Sequence, residues 1–240
     1  FIDSLSFRKY TEGEFWLGHR QFCEQFLNPL LLRSSIGITH NSWFRGSLEG
    51  ITAQELSRLL PLRRKFSFNV FVHVIMQARL QSRSGSQGDA EKLLNKRKLS
   101  KQAYRQMLSG LKRWIARLEP ADTGKTVWED YAGKNSYQAN EEAAKHKFIA
   151  TFVNSVSPEA VWDIGCNTGE YSKCALEAGA SSVIGFDADQ GALEIAYSRA
   201  CSESLSLLPL YLDAANPAPA QGWAQMERQG LDSRNSPDAM

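Results

Sequence analysis

The fold of this chain is decided by one stretch, Val161-Trp162-Asp163-Ile164-Gly165-Cys166-Asn167-Thr168-Gly169-Glu170. Its first four residues are apolar apart from Asp163, which is typical of a buried strand. Gly165 and Gly169 then interrupt the run. From there, apolar residues recur at helical spacing, at Tyr171, Cys174, Ala175 and Ala178. The pattern predicts a strand, a tight glycine turn and a helix that stops at Gly179.

The residues that follow extend this pattern to three strands and two helices. Ser182 to Asp187 predicts a second short strand that ends in a carboxylate. Asp189 is placed to cap a second helix, whose apolar stripe is Leu193, Ala196, Tyr197 and Ala200. Leu207 to Leu212 predicts a third strand, and Asp213 follows it. Strand, helix, strand, helix, strand is the half-sheet of a nucleoside-binding domain.

The turn and its neighbouring acids suit a nucleoside with an ammonium group. Glycines let the backbone approach a ligand closely, and a helix N-terminus favours a polar or anionic group. Asp163 stands just before the turn, where its carboxylate suits an ammonium. Asp187 lies about twenty residues after the turn, at the position that holds ribose hydroxyls in doubly wound sheets.

A dinucleotide is disfavoured as the ligand. The dinucleotide fingerprint requires glycine at the first, third and sixth positions of the turn. Counted from Gly165, the third and sixth positions hold Asn167 and Glu170. Two of the three positions therefore fail, and a nicotinamide-dependent dehydrogenase is only a third alternative.

The spacing Asp163-x-Gly165-x-x-x-Gly169 resembles motif I of class I S-adenosylmethionine (SAM)-dependent methyltransferases, with Asn167 where glycine is commonest. The resemblance implies that the turn packs against the methionine part of SAM and that Asp163 binds its amino group. It also implies that Asp187 holds the ribose diol and that Asp213 lies near the adenine. The cofactor-binding residues that it implies are Asp163, Gly165, Cys166, Asn167, Gly169, Asp187, Ala188, Asp213 and Tyr137.

Tyr137 belongs to the segment before motif I, which folds over SAM in many methyltransferases. Tyr131 and Lys147 are further lid candidates in this segment, and ordinary packing of a leading helix is the open alternative. No catalytic residue is assigned, because such residues commonly follow the fourth strand or lie on later loops.

Three longer blocks of sequence are similar to a less-studied bacterial methyltransferase group. Some members of this group are labelled nodulation-protein-like (NoeA-like). The blocks are residues 15–30, 43–51 and 216–223. The resemblance covers most of the chain but does not imply a substrate, so the methyl acceptor stays unknown.

Composition excludes some classes of protein and partner. The chain is 42% hydrophobic with a net charge of +2, so it can build a core and its bulk charge selects no partner. Nucleic acid is disfavoured as a partner but remains open. The apolar runs are too short to span a bilayer, so no membrane partner is expected. The cysteines lack the paired spacing of metal ligands, and a reduced, cytoplasmic protein is the simplest interpretation. The histidines lie far apart in sequence, so no metal site is expected.

Three regions are expected along the chain. Residues 1–81 form a mainly helical N-terminal region, with a first helix that closes near Asn28-Pro29. Residues 82–140 hold a linker and an amphipathic basic helix, whose apolar stripe is Tyr104, Met107, Leu108, Leu111, Trp114, Ile115 and Leu118. This helix is expected to dock by its apolar face, and contact with RNA or with an acidic partner is the alternative. Residues 141–240 form a truncated SAM-binding domain.

The ends of the chain predict a fragment. The sequence starts at Phe1, not methionine, and Ser236-Pro237-Asp238 would introduce a fourth strand just before it stops. The predicted fold class is α/β, a partial doubly wound Rossmann-like methyltransferase sheet. Strands 3-2-1 are present with Pro209 on the edge strand, and one side of the first strand is left unpaired. The predicted function is the cofactor-binding part of a SAM-dependent methyltransferase, and the alternative is an inactive fragment acting as a binding or interaction module.

Overall fold

In a computed structural model the protein divides into two compact units, Phe1–Asp122 and Thr123–Met240. The structure describes residues 9–11, 13, 16, 18–83, 100–121, 139–234 and 236–240. Each unit has an apolar core of its own. The expected division into three regions stays a prediction, although the helix of the expected middle region belongs to the first unit.

The first unit is helical in the part of the chain that the structure describes. Its α-helices are α1 His19–Phe22, α2 Asn28–Ile36, α3 Asn41–Gly46, α4 Ala53–Leu59, α5 Leu62–Lys65, α6 Phe68–Val70, α7 Met76–Arg83 and α8 Lys101–Ile115. Two π-helical segments, Cys23–Leu27 and Phe71–Ile75, connect α1 to α2 and α6 to α7 without a break. The unit therefore contains two long helices, each with a π-helical turn inside it.

Helix α8 is the predicted amphipathic basic helix. Leu111 is buried, and Trp114, Ile115 and Leu118 pack against the core of the first unit. Exposed basic residues lie on this helix and just after it, namely Lys101, Arg105, Lys112, Arg113 and Arg117. The helix thus docks by its apolar face and presents a basic surface to solvent, as expected.

The first helix does not close near Asn28-Pro29, so that prediction is wrong. Proline lacks an N–H, and in an α-helix its ring clashes with the carbonyl four residues earlier. The π-helical turn Cys23–Leu27 changes the hydrogen-bond spacing to five residues, which would pair position 29 with the carbonyl of Glu24. Because Pro29 has no N–H to donate, that carbonyl accepts instead from the N–H of Ile51, at 2.9 Å.

Asn28 completes this connection between the first helix and the segment before α4. Its side chain is fully buried, and its Nδ2 donates to the carbonyl oxygen of Ile51 at 2.7 Å. The N–H and the carbonyl of Ile51 are therefore both hydrogen-bonded by the helix that contains Pro29. Two of the sequence blocks that resemble the bacterial group, residues 15–30 and 43–51, meet at this point.

The second unit is an α/β domain. Its elements are α9 Ala139–Val156, β1 Ala160–Ile164, α10 Glu170–Glu177, β2 Ser182–Asp187, α11 Gln190–Ser202 and β3 Leu207–Tyr211. The strands are parallel in the order β1-β2-β3, which pairs Asp163 with Gly185 and Asp187 with Tyr211. The predicted α/β class and the 3-2-1 half of a Rossmann-like sheet are confirmed. None of the described helices has the length and apolar character required to cross a bilayer.

Both edges of this sheet bear on the predicted topology. Pro209 lies in β3, the outer strand, where a residue without an N–H is tolerated. At the other edge, Val161 forms a parallel bridge with Ala239, and the N–H of Trp162 donates to the Ala239 carbonyl at 3.0 Å. The last residues thus lie where a fourth strand is expected. The expectation that this edge of β1 is unpaired is wrong at Val161.

Candidate functional site

The carboxyl ends of the three parallel strands carry the three acids singled out from the sequence. Asp163 is the fourth residue of β1, Asp187 is the last residue of β2, and Asp213 is the second residue after β3. Ligands of open α/β sheets bind outside this edge. The topology therefore places all three carboxylates at the carboxyl ends of the strands, where ligands of such sheets bind.

The turn between β1 and α10 is held in left-handed backbone conformations. The φ angles are +83° at Gly165, +49° at Asn167 and +77° at Gly169. A Cβ on Gly169 would lie 3.0 Å from Leu207 Cδ2, so both the φ angle and the tight packing favour glycine there. A Cβ on Gly165 would meet no atom within 4 Å, so open space lies beside this residue. Gly165 is therefore where a ligand can approach the backbone.

Asp187 accepts hydrogen bonds with both carboxylate oxygens, one from this turn and one from the residue that precedes α11. Its Oδ2 accepts a hydrogen bond from the Asn167 N–H, and its Oδ1 accepts one from the Asp189 N–H, each at 2.8 Å. The side chain therefore lies at the glycine turn and not across the sheet from it. A carboxylate has about four lone-pair sites, so acceptor capacity remains for two further donors such as a diol.

Asp163 is a half-buried carboxyl beside the same turn. Burial raises its pKa, a 2.6 Å hydrogen bond from the Ser172 hydroxyl opposes that rise, and the nearby charge of Asp187 adds to it. A cationic group bound here would favour the charged carboxylate. Ser172 was not predicted from the sequence. Its position in the first turn of α10, directly after the glycine turn, was the available signal that its hydroxyl could reach the end of β1.

Asn167 fits the turn in its backbone and leaves one polar atom without a partner. Asparagine is among the residues that adopt a left-handed conformation most readily after glycine, which explains its tolerance where glycine is commonest. Its side-chain Oδ1 is buried and has no hydrogen-bond partner within the described chain. A buried acceptor of this kind favours a donor from a bound group or a water molecule.

The thiol of Cys166 is buried against β2. The residue is buried, and a Cβ added at Gly185 would lie 2.9 Å from its Sγ. The glycine of β2 therefore provides the space that this side chain fills. A ligand at the site could therefore contact only the backbone of Cys166. The N–H of this residue already donates to the carbonyl of Phe186 at 3.0 Å.

We expect Cys166 to resist alkylation. Burial, and then the charges of Asp163 and Asp187, raise the pKa of its thiol to about 12, so almost no thiolate exists at about pH 8. Cys201 is exposed and serves as the internal comparison. Iodoacetamide treatment of the native protein followed by peptide mass spectrometry should label Cys201 and leave Cys166 unmodified. Equal labelling of the two residues would contradict the packing described above.

The remaining predicted residues make no described contact with the glycine turn, or lie outside the described residues. Ala188 is exposed beside Asp187, and Asp213 is half-buried with its Oδ1 accepting from the Ala215 N–H at 3.1 Å. Lys147 is exposed on α9. Tyr131 and Tyr137 lie outside the described residues, so their predicted roles stay predictions.

An open cleft elsewhere in the second unit does not match this chemistry. Its volume is about 340 Å³, and its lining residues are Ala144, Lys145, Phe148, Ile149 and Tyr171. It contains none of the carboxylates and none of the glycines of the turn. The strand ends, not this apolar cleft, therefore carry the candidate site.

No protein-family model matches the chain. Among solved structures, a Pyrococcus horikoshii protein described as an RNA methyltransferase matches with a TM-score of 0.28 and 20% identity, over 43% of this chain and 49% of that one. The O-methyltransferase from Bacillus cereus in complex with SAH matches with a TM-score of 0.27 and 17% identity, over 42% of this chain and 49% of that one. Likenesses this distant do not bear on activity.

A closer match is found among curated proteins. The chain is 48% identical over 246 residues to the nodulation protein NoeA of Rhizobium meliloti strain 1021. The match covers 100% of this chain and 51% of that protein. The chain therefore spans about half the length of this relative.

Proposed function

We propose that the second unit binds SAM and that the protein is a SAM-dependent methyltransferase. The observation that carries the proposal is the hydrogen bond between Asp187 Oδ2 and the Asn167 N–H. This bond brings the acid at the end of β2 to the glycine turn after β1. A nucleoside lying across the turn then has a carboxylate within reach of its sugar.

The residues present fit each part of SAM. The open space at Gly165 accommodates the methionine part, and the half-buried Asp163 carboxyl suits its ammonium group. The free lone pairs of Asp187 accept from the two ribose hydroxyls, a pairing that charge strengthens. Asp213 follows the neighbouring strand β3, and in this proposal it lies near the adenine. The chain thus supplies one carboxylate for the ammonium group and another for the ribose hydroxyls.

SAM, when bound, supplies a methyl group that its sulfonium has already activated. The part left to the protein is to hold the cofactor still and to exclude water, so that a nucleophile meets the methyl group in line. In this proposal Asp163 holds the amino acid end of the cofactor and Asp187 holds the ribose in its middle. The acceptor and any general base are not assigned.

Replacing Gly165 by alanine tests the proposed binding site. The new Cβ would project into the open space beside the turn, where the methionine part is proposed to lie. We expect binding of S-adenosylhomocysteine (SAH), measured by calorimetry on the intact protein, to weaken at least about tenfold. The backbone strain of a left-handed alanine, about 1–2 kcal/mol, is a separate effect that requires a control.

Gly179→Ala is the matched control. Gly179 also has a positive φ, of +112°, and also has no atom within 4 Å of an added Cβ, but it lies at the far end of α10. Its variant should show similar strain and an unchanged affinity for SAH. Equal affinities of the two variants would place the ligand away from the turn and overturn the proposal.

A further inference from the structure

A cluster of two histidines and a cysteine lies in the first unit, outside the site described above. His19 Nε2 is 3.1 Å from His73 Nδ1 and 3.5 Å from Cys23 Sγ. One ligand atom from each of the three residues lies within 4.8 Å of the others. Cys23 is 2% exposed and His73 is 6% exposed, so the cluster lies in the interior of the unit.

Local helix geometry brings two of these groups together. His19 and Cys23 are four residues apart on consecutive helical turns, so their side chains share one face. Cys23 begins one π-helical segment and His73 is the central residue of the other. Isolated π-helical turns are rare and occur frequently at functional sites. Two of the three residues, Cys23 and His73, thus lie in the π-helical segments of this unit.

Two of the three separations between the ligand atoms are close to the edges of a metal-centred tetrahedron, and the third is within 4.8 Å. Zinc bonds of about 2.05 Å to nitrogen and 2.3 Å to sulfur place two nitrogens about 3.3 Å apart and a nitrogen and sulfur about 3.6 Å apart. The observed distances are 3.1 and 3.5 Å. An ion therefore fits with small side-chain shifts, and three protein ligands leave a fourth position open.

A second layer of residues orients the histidines. The side-chain amide of Gln77 lies 3.3 Å from His19 Nδ1. Rotation of this amide by about 180° about its last torsion would place its oxygen there, where the oxygen would accept from Nδ1–H. The lone pair of Nε2 is then directed at the cluster, as in most histidine ligands. The Trp114 ring stacks on His73, and Trp16 meets His19 edge-on.

We propose that His19, Cys23 and His73 form a metal site for Zn²⁺ or a divalent ion of similar preference. Two imidazoles and one thiolate are the ligand types that zinc favours. The site is independent of the proposed cofactor site, because all its residues belong to the first unit. The alternative is a metal-free network in which His19 Nε2 hydrogen-bonds to both partners.

Cobalt titration of the metal-stripped, intact protein tests the proposal, because a thiolate bound to Co²⁺ gives an intense charge-transfer absorption. We expect one Co²⁺ per chain, the charge-transfer band, and displacement of Co²⁺ by Zn²⁺. Cys23→Ser should abolish the band, and Gln77→Ala should weaken binding roughly tenfold or more through the second layer. His40→Gln, which changes a histidine of the same unit outside the cluster, should behave as the unaltered protein.

The unaltered protein decides the question even if a variant fails to fold. Absence of stoichiometric Co²⁺ binding, or a charge-transfer band that persists in Cys23→Ser, would overturn the proposal in favour of the hydrogen-bonded network. A folded Cys23→Ser variant without the band, together with an unchanged His40→Gln variant, would support it. Zinc content of the protein as purified, measured by mass spectrometry, gives a second readout.

Discussion

Asp187→Ala is expected to weaken SAH binding by about a hundredfold or more. A hydrogen bond to a charged group contributes about 1.5–3 kcal/mol, and each 1.4 kcal/mol corresponds to a factor of ten in affinity. Two bonds from the ribose diol therefore account for roughly two powers of ten. The variant also removes the acceptor for the N–H groups of Asn167 and Asp189, which loosens the turn. The two effects act in the same direction.

Asp187→Asn separates these effects. The asparagine keeps one oxygen for the Asn167 N–H but lacks the charge and the second acceptor. Calorimetry should therefore give it an affinity between those of the unaltered protein and Asp187→Ala. Thermal unfolding, followed by circular dichroism, should show a smaller loss of stability for the asparagine variant. An Asp187→Ala protein that binds SAH as tightly as the unaltered protein would remove this carboxylate from the site.

Gly50→Ala is expected to have the largest effect on stability, and we expect the first unit not to fold in this variant. Gly50 has a φ of +86°, and a Cβ there would lie 2.2 Å from the backbone oxygen of Glu24. That oxygen accepts from the N–H of Ile51, so it has no room to retreat without breaking the connection at Pro29. Left-handed strain alone costs about 1–2 kcal/mol, and the backbone clash adds to it.

Gly46→Ala is the control for this substitution. It lies four residues earlier, at the end of α3, and an added Cβ meets nothing within 4 Å. Urea unfolding followed by circular dichroism should show little change, because alanine is at least as favourable as glycine in a helix. If Gly50→Ala and Gly46→Ala unfold at the same urea concentration, the close approach of Gly50 to Glu24 is wrong.

The parts of the fold that follow from local pattern were predictable. The glycines at positions 165, 169 and 179 and the apolar runs between them predicted strands and helices of the second unit within a few residues of their bounds. The position of Pro209 predicted the edge strand. These signals succeed because strand and helix periods, glycine φ angles and the missing proline N–H are properties of short segments.

What could not be predicted depends on contacts between distant residues. The π-helical turn before Pro29 is supported by Ile51, which is far along the chain, and no local pattern announces it. His19 and His73 are 54 residues apart in sequence, and only packing of two helices brings them to 3.1 Å. Their separation in sequence therefore did not exclude contact between the two rings. The spacing of His19 and Cys23, one helical turn, was the available local signal.

The most direct test of the central claim is a crystal structure of the intact protein with SAH. The predicted result has the ribose hydroxyls within hydrogen-bond distance of the Asp187 carboxylate and the amino acid part beside Gly165 and Asp163. Density for SAH in any other place would contradict the claim. In that result the carboxyl ends of the strands would be unaltered, and the Asp187 oxygens would still accept only from the Asn167 and Asp189 amides.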